Sequence, residues 1–412
     1  MKNIKSYSKE ILKNISLVIF SILLAIYMLE IAYSLYNISS YKHKKWTKHK
    51  RSSFDIYKEY KNSGKDIVTT VPPPFYIDWL VSRNYTNLDD QGLKLNSKNN
   101  LYQLSGISNK LTIFCNESGY WTIYKSDRYG FNNPDEVWDK LEFDFVLIGD
   151  SFVKGACVHE KDSIAGLLRR KNKILNLAYV AGPLGEYATL REYFKNIKTK
   201  NVLWFYTEDS DLIDLQSELS IEVLVDYLED INFTQNLINK QKEIDFIASN
   251  ALLQAFKEYQ RKENILFRFD EFKFKNVLLL KSIRGRLSWM FKIDLMQINL
   301  INSKKDELNY LDKFSELLFQ ANNLVTKNNS KLYFVYLPVY PGTHDGAAYT
   351  QRSESYKKII DLVKKLDIPI IDLYKDLFKD HPDPKSLFPD RRLGHYNEEG
   401  YRLVVETVLE KI

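Results

Sequence analysis

The stretch Phe143-Asp-Phe-Val-Leu-Ile-Gly-Asp-Ser-Phe152 decides how this chain reads. Residues 143–148 are an apolar run of strand length that breaks at Gly149, which predicts a buried strand. Asp150 and Ser151 then stand at its C-terminal end. Over 162–170, Ile164, Leu167 and Leu168 share one face at helical spacing. Ser151 is thereby placed at a strand-to-helix turn, where ligands bind in open α/β sheets. A hydroxyl there meets substrate, and nearby backbone N–H groups face developing negative charge. The simpler alternative is a Ser or Asp that only caps the next helix.

Downstream of this stretch the pattern alternates. Strands are predicted over 174–177, 202–206, 331–337 (ended by Pro338) and 368–373, with helices over 186–197 and 355–365. Strands separated by helices indicate an α/β domain with a parallel, three-layer sheet. Between 212 and about 301 the chain turns polar and helical, with amphipathic helices predicted over 218–238 and 244–262. This insertion follows the third strand, near the expected active face. A lid, a partner-binding helical pair or a structural elaboration all fit it.

Upstream, 111–114 and 121–124 are short strand-like runs between Asn, Ser and Gly, and Val71-Pro-Pro-Pro-Phe75 is a stiff extended segment. Residues 42–66 form a basic, polar linker, either touching anionic lipid head groups or serving as a solvated tether. Residues 14–29 carry no charge, Glu30 interrupts, and 31–41 are again uncharged. A span of about 14–36 is long enough to cross a bilayer. No small-x-small site follows it, so an uncleaved signal anchor is expected over a cleaved signal peptide, with Glu30 near the outer interface. The expected organisation is an anchor and linker over 1–53, a β-rich lead-in over 54–140, and the α/β domain over 141–412 with its insertion at about 213–300.

The chain has 412 residues, 44% of them hydrophobic, with 28 Tyr and 23 Phe, so a sizeable folded core is expected and disorder is excluded. Its formal charge of +6 gathers near the N-terminus and is no nucleic-acid footprint. Neither repeats nor low-complexity tracts occur.

A second motif lies about 240 residues beyond Ser151: Gly394-His-Tyr-Asn-Glu-Glu-Gly-Tyr401, ahead of a last amphipathic helix over 399–409. Asn397 followed by Glu398 and Glu399 suits a helix start and leaves His395 just before it. Alone, such a histidine reads as a loop residue. Together, the Gly-Asp-Ser block and the late His resemble the SGNH/GDSL hydrolase superfamily, from about residue 144 to the C-terminus. Ser126-Asp-Arg-Tyr-Gly-Phe-Asn-Asn-Pro134, Gly106-Ile-Ser-Asn-Lys110 and Cys115-Asn-Glu-Ser-Gly119 resemble segments of its membrane-anchored members from polysaccharide loci. The resemblance thus covers most of the chain after the anchor.

The resemblance implies a flavodoxin-like three-layer fold, Ser151 as nucleophile and His395 as its base. It also implies an oxyanion hole from the Ser151 N–H, Gly182 and a residue after the third strand. There the relatives carry Glu-Gly-Asn-Asp-Leu, whereas this chain has Glu208-Asp-Ser-Asp-Leu212. Ser210 takes the place of the Asn and Asp209 that of the Gly. Where the family has an Asp before its His, this chain has Arg392. Asp390 is the expected triad acid, with Asp383 or a backbone carbonyl as alternatives. The positive-inside rule read literally would hold the domain in the cytoplasm, because lysines flank the span on both sides. Long domains translocate largely regardless of charge, and single-anchor SGNH proteins usually face outward, so an extracytoplasmic domain is expected.

Cys115 and Cys157 are the only cysteines, and an even count in an oxidising compartment invites a disulfide; two buried free thiols are the alternative. They make no zinc motif, and His43, His49, His159, His344 and His381 show no metal-ligand spacing, so neither metal nor cofactor is expected. The expected activity is that of a membrane-anchored serine esterase or O-acetyl transferase acting on acylated glycans through an acyl-Ser151 intermediate. The competing expectation is a catalytically weakened relative that binds or assembles glycan.

Overall fold

The computed structural model describes residues 2–39, 51–73, 101–208, 210–263, 277, 279–280, 283–284, 310–340 and 354–412. The chain divides into two compact units, Met1–Trp46 with Glu258–Ser303, and Thr47–Lys257 with Lys304–Ile412.

The second unit is built on a parallel sheet. Strands β4 (Glu142–Ile148), β5 (Ile174–Asn176), β6 (Lys198–Thr207), β7 (Lys331–Leu337) and β8 (Ile370–Asp372) lie in the order β5-β4-β6-β7-β8. Every neighbouring pair is parallel. The inner strands read as nearly unbroken apolar runs because both faces of such a sheet are covered: Val146, Leu147, Val202, Leu203, Trp204, Phe205, Phe334 and Val335 are all fully buried. From β4 the chain crosses to one side to form β5, then returns past it to form β6 on the other side. The C-terminal end of β4 is therefore the topological switch point, where a crevice opens in doubly wound sheets. Ile148 pairs with Trp204, and Thr207 with Leu337, so Asp150 and Glu208 both leave the sheet at this edge.

Helix α4 (Ile164–Arg169) packs on α11 (Glu398–Lys411), and α5 (Pro183–Tyr193) packs on α9 (Leu311–Lys327). Of the helix expected over 218–238 only α7 (Glu222–Glu229) forms, after a separate α6 (Asp211–Glu218), and mostly irregular chain follows it. The cause lies in α5. Arg191 donates to the carbonyls of Tyr227, Asp230, Ile231 and Phe233. Glu192 accepts the N–H groups of Gln235 and Leu237, each at 2.7 Å. Backbone groups satisfied by another element have no need of a helix. Helix α8 (Gln241–Glu263) forms over the second predicted helical stretch, and α10 (Glu354–Lys365) precedes β8.

A small sheet of order β1-β2-β3 sits in the same unit, from Ile67–Thr69, Leu111–Ile113 and Ile123–Lys125. Strands β2 and β3 form a hairpin whose ladder continues through Phe114 N–H to Thr122 O and Thr122 N–H to Cys115 O, both at 2.9 Å. Residues 116–121 are its loop. Helix α2 (Ser53–Asn62) packs beside β1, its start closed by a Ser52–Asp55 capping box.

In the other unit, α1 (Lys2–Ser39) contains an apolar stretch, Lys13–Leu35, of 23 residues, whose most apolar 18-residue window has mean hydropathy 2.4, long and apolar enough to cross a membrane. Glu30, expected at an interface, is buried and accepts the Ile283 N–H at 2.8 Å and the Ser34 hydroxyl. A charge on an apolar helix is tolerated with such partners. The basic stretch 42–50 and the end of the proline segment, 74–75, lie outside the described residues.

Candidate active site

Strand β4 must turn sharply to present Ser151. Gly149 permits this: its φ is 158°, and a Cβ there would stand 2.6 Å from Val153 Cγ2. Asp150 caps the following one-turn helix α3 (Ser151–Lys154), its Oδ1 accepting the Phe152 N–H at 2.9 Å. The helix stops at Gly155, in the left-handed region at φ 93°. Ser151 is thus the first helical residue, and its N–H has no acceptor among the described residues.

His395 arrives from the opposite end of the chain. Asn397 caps α11 through the Gly400 N–H at 2.9 Å and donates to Ser386 O at 2.8 Å, which fixes the loop. Tyr396 is fully buried between Phe152, Phe378, Phe388 and Tyr401. With Tyr396 anchored, the His395 ring lies 4.6 Å from the Phe152 ring, its side chain 13% exposed. Ser151 Oγ and His395 Nε2 are 2.8 Å apart.

The other ring nitrogen meets Glu117. Nδ1 is 3.0 Å from Glu117 Oε1, and the His395 backbone N–H donates to Glu117 Oε2 at 2.7 Å. An ionised carboxylate only accepts, so Nδ1 carries the hydrogen and Nε2 presents a lone pair to the Ser151 hydroxyl. Gly394 makes room: a Cβ there would stand 2.6 Å from Glu117 Oε2. The acid expected at Asp390 is therefore corrected. Asp390 is exposed in a left-handed turn at φ 50°, and the carboxylate on the His395 ring is that of Glu117. Asp383 is drawn off by Arg391, which donates to its Oδ1 at 2.8 Å, and Arg392 is exposed. Glu117 reaches the site on the β2–β3 loop. Glu117 is not among the residues expected from the sequence; the signal that could have found it is Cys115, two residues away in the turn-forming Cys-Asn-Glu-Ser-Gly.

Cys115 and Cys157 are disulfide-bonded, with Cα atoms 5.1 Å apart. Cys157 Sγ lies 3.9 Å from His395 Nδ1. Donor atoms of Glu117, Cys157 and His395 lie within 4.8 Å of one another, but the sulfur is in a disulfide and is no thiolate, the species that ligates metals.

The anion-stabilising side departs from expectation. The Gly182 N–H donates to Glu218 Oε1 at 2.9 Å, and the same carboxylate accepts the Leu184 and Gly185 N–H groups at 2.8 and 3.2 Å. The start of α5 is a natural anion site, and this chain fills it with its own Glu218 from α6. Gly182 is therefore not a free oxyanion donor. The Ser210 hydroxyl faces its own turn, 3.3 Å from Asp211 Oδ1 and 3.5 Å from Thr207 O. Asp209 lies outside the described residues.

Acids gather on this side. Asp211 is fully buried and accepts the Thr207 N–H at 2.9 Å. Burial, then the Asp150 charge, pushes it well above the usual carboxylate range. Burial, then Asp211, Asp150 and Glu218, does the same to Glu186. Burial also raises Asp150, against the pull of His395. Asp214 rises to about 7 through burial and then Asp150. Glu218 rises to about 8 through burial and then Asp214, its three N–H donors opposing.

No protein-family model and no curated protein matches the sequence. The geometry therefore carries the chemistry. A hydroxyl on a lone-pair nitrogen, with the far nitrogen held by a carboxylate, is the arrangement that activates a serine for acyl transfer.

Proposed function

We propose that this chain is a serine esterase or O-acyl transferase of the SGNH type, acting through an acyl-Ser151 intermediate. The carrying observation is the Ser151–His395–Glu117 relay, at 2.8 and 3.0 Å. His395 Nε2 takes the hydroxyl proton as Ser151 Oγ bonds to the ester carbon. The ester C–O bond then breaks, and the same proton passes to the departing alkoxide. Water or a sugar hydroxyl attacks the acyl carbon next, its proton going to Nε2; the acyl carbon–Oγ bond then breaks and Nε2 returns the proton to Ser151 Oγ. Glu117 holds the ring in the productive tautomer and offsets its positive charge. The free Ser151 N–H at the crevice edge supplies a donor for the oxyanion.

An O-acetylated glycan is the substrate class that the resemblance to membrane-anchored relatives supports. The disulfide supports an oxidising, extracytoplasmic setting, with Lys13–Leu35 as the anchor. A second reading, a glycan-binding or assembly protein with weakened chemistry, draws on Glu218 occupying the Gly182 N–H and on the position of Ser210. Labelling the full chain with a fluorophosphonate separates the two. We expect covalent labelling at Ser151, abolished in His395→Ala, and hydrolysis of p-nitrophenyl acetate lowered about 10⁵–10⁶-fold in Ser151→Ala. Equal hydrolysis by Ser151→Ala and the parent would overturn the enzyme reading.

A further inference from the structure

The Cys115–Cys157 disulfide joins the two pieces of backbone that must meet for the relay to form. Cys115 ends the paired part of the β2–β3 hairpin, two residues before Glu117. Cys157 lies six residues after Ser151, in the left-handed region at φ 60°, directly past the nucleophile's helix. Both are buried, at 3% and 0% exposure, against Phe114, Tyr124 and Ala156. The hairpin loop that carries Glu117 has further contacts on the same side. The Tyr120 hydroxyl donates to Glu398 Oε1 at 2.6 Å, and its ring stacks on His159 at 4.7 Å. Tyr401 donates from its hydroxyl to Ala156 O, next to Cys157.

A carboxylate on a loop orients an imidazole only while the loop is held in register, and a misplacement of about 1 Å costs on the order of 10²-fold in rate. We propose that the disulfide is a positioning element of the active site: it holds Glu117 on His395, and the dithiol chain is the less active form. This rests on the esterase or transferase reading above. Formation of the bond takes two thiols to one disulfide and releases two protons and two electrons. A disulfide-bearing oxidant accepts both by thiol–disulfide exchange and leaves as a dithiol. Activity would then be gained when the chain meets such an oxidant rather than when it is synthesised.

The test is a cycle on the full chain, with p-nitrophenyl acetate as substrate, comparing Cys115→Ser/Cys157→Ser, Glu117→Gln and the combination. We expect the cysteine variant to lose at least about 10-fold in kcat with KM little changed. Added to Glu117→Gln, it should cost nothing more, because both act through one carboxylate. In the parent, the downfield proton signal of His395 Nδ1–H should weaken when the disulfide is removed. A disulfide that merely stabilises the fold would lower Tm and leave kcat and this proton signal unchanged, and one that only loosens the site in general would add its kcat loss to that of Glu117→Gln; either result overturns the proposal. If the cysteine variant does not fold, reduction of the folded parent by a phosphine, followed by circular dichroism, reads the same loss and its recovery on reoxidation. No turnover or labelling in any form, the oxidised parent included, would instead count against the enzyme reading itself.

Discussion

The two sides of Ser151 differ in how their polar groups are satisfied. On the His395 side every group has a partner at hydrogen-bonding distance: hydroxyl to imidazole, imidazole to carboxylate, carboxylate to backbone N–H. On the α5–α6 side Asp150, Glu186, Asp211, Asp214 and Glu218 crowd together, and burial holds each above its ordinary pKa. The first side is arranged to move a proton. The second is arranged to keep protons, and its Glu218 occupies the Gly182 N–H expected to face an oxyanion. A proton-relaying side and a proton-keeping side thus share one strand end.

Five substitutions test this comparison, the strongest on the proton-moving side. Glu117→Gln keeps the shape but offers the ring an amide that stabilises the wrong tautomer. kcat on p-nitrophenyl acetate should fall about 10³–10⁴-fold, whereas Asp390→Asn should leave it within about 2-fold, that side chain being exposed. Equal effects of the two would put the acid back at Asp390. Gly394→Ala drives a Cβ to 2.6 Å from Glu117 Oε2 and should cost ~10–100-fold in kcat. A full-rate Gly394→Ala enzyme would mean the Glu117 contact is dispensable.

The proton-keeping side is read through stability. Glu218 titrates higher folded, at about 8, than its ordinary value of 4.5. The folded state then holds a proton that the unfolded state has lost. Its contribution is full below pH 4.5 and is lost as pH rises through about 8, at no more than ~1.4 kcal/mol per pH unit. Glu218→Gln should flatten that decline in denaturant melts between pH 5 and 9. An unchanged slope would show that Glu218 is already ionised on its three N–H donors.

Lys154, on the nucleophile's own helix, provides the opposite sign. Its amine is fully buried, lies 3.8 Å from the Tyr179 ring centroid and 4.4 Å from that of Phe114, and has no hydrogen-bond partner among the described residues. The rings favour a cation, but burial outweighs them and pulls the amine well below its ordinary value of 10.5. Here the unfolded state holds the extra proton, so stability is full above pH 10.5 and falls as pH drops toward the folded value. Lys154→Met should therefore gain on the parent as pH falls from 10 to 7, by at most ~1.4 kcal/mol per unit. A gap that stays constant with pH would mean the amine remains charged in the core.

The elements that were legible in the sequence are those set by local pattern. The five parallel strands follow from apolar runs, and Ser151 and His395 were placed by the turn and cap beside them. Glu117 was missed because its partner is 278 positions away, which no periodicity reports. Taken together, the cysteine pair and Ser151 place it within reach: a bond from Cys115 to Cys157 brings Glu117 toward the turn that carries Ser151. Gly182 was misjudged for a related reason. A helix N-terminus advertises an open anion site, while its occupant, Glu218, sits in a stretch that read only as polar and helical. The early end of α7 was hidden likewise, since Arg191 and Glu192 impose it from another helix.

The relay is assembled from both extremes of the folded unit, and chain order gives this a temporal meaning. During synthesis the acid emerges first and the nucleophile soon after, but the base follows only some 240 residues later. Until α11 docks, Ser151 is an ordinary alcohol, inert toward any ester it encounters. On the reading proposed above, the polypeptide is harmless along its route and turns reactive only once α11 has packed and the disulfide has closed.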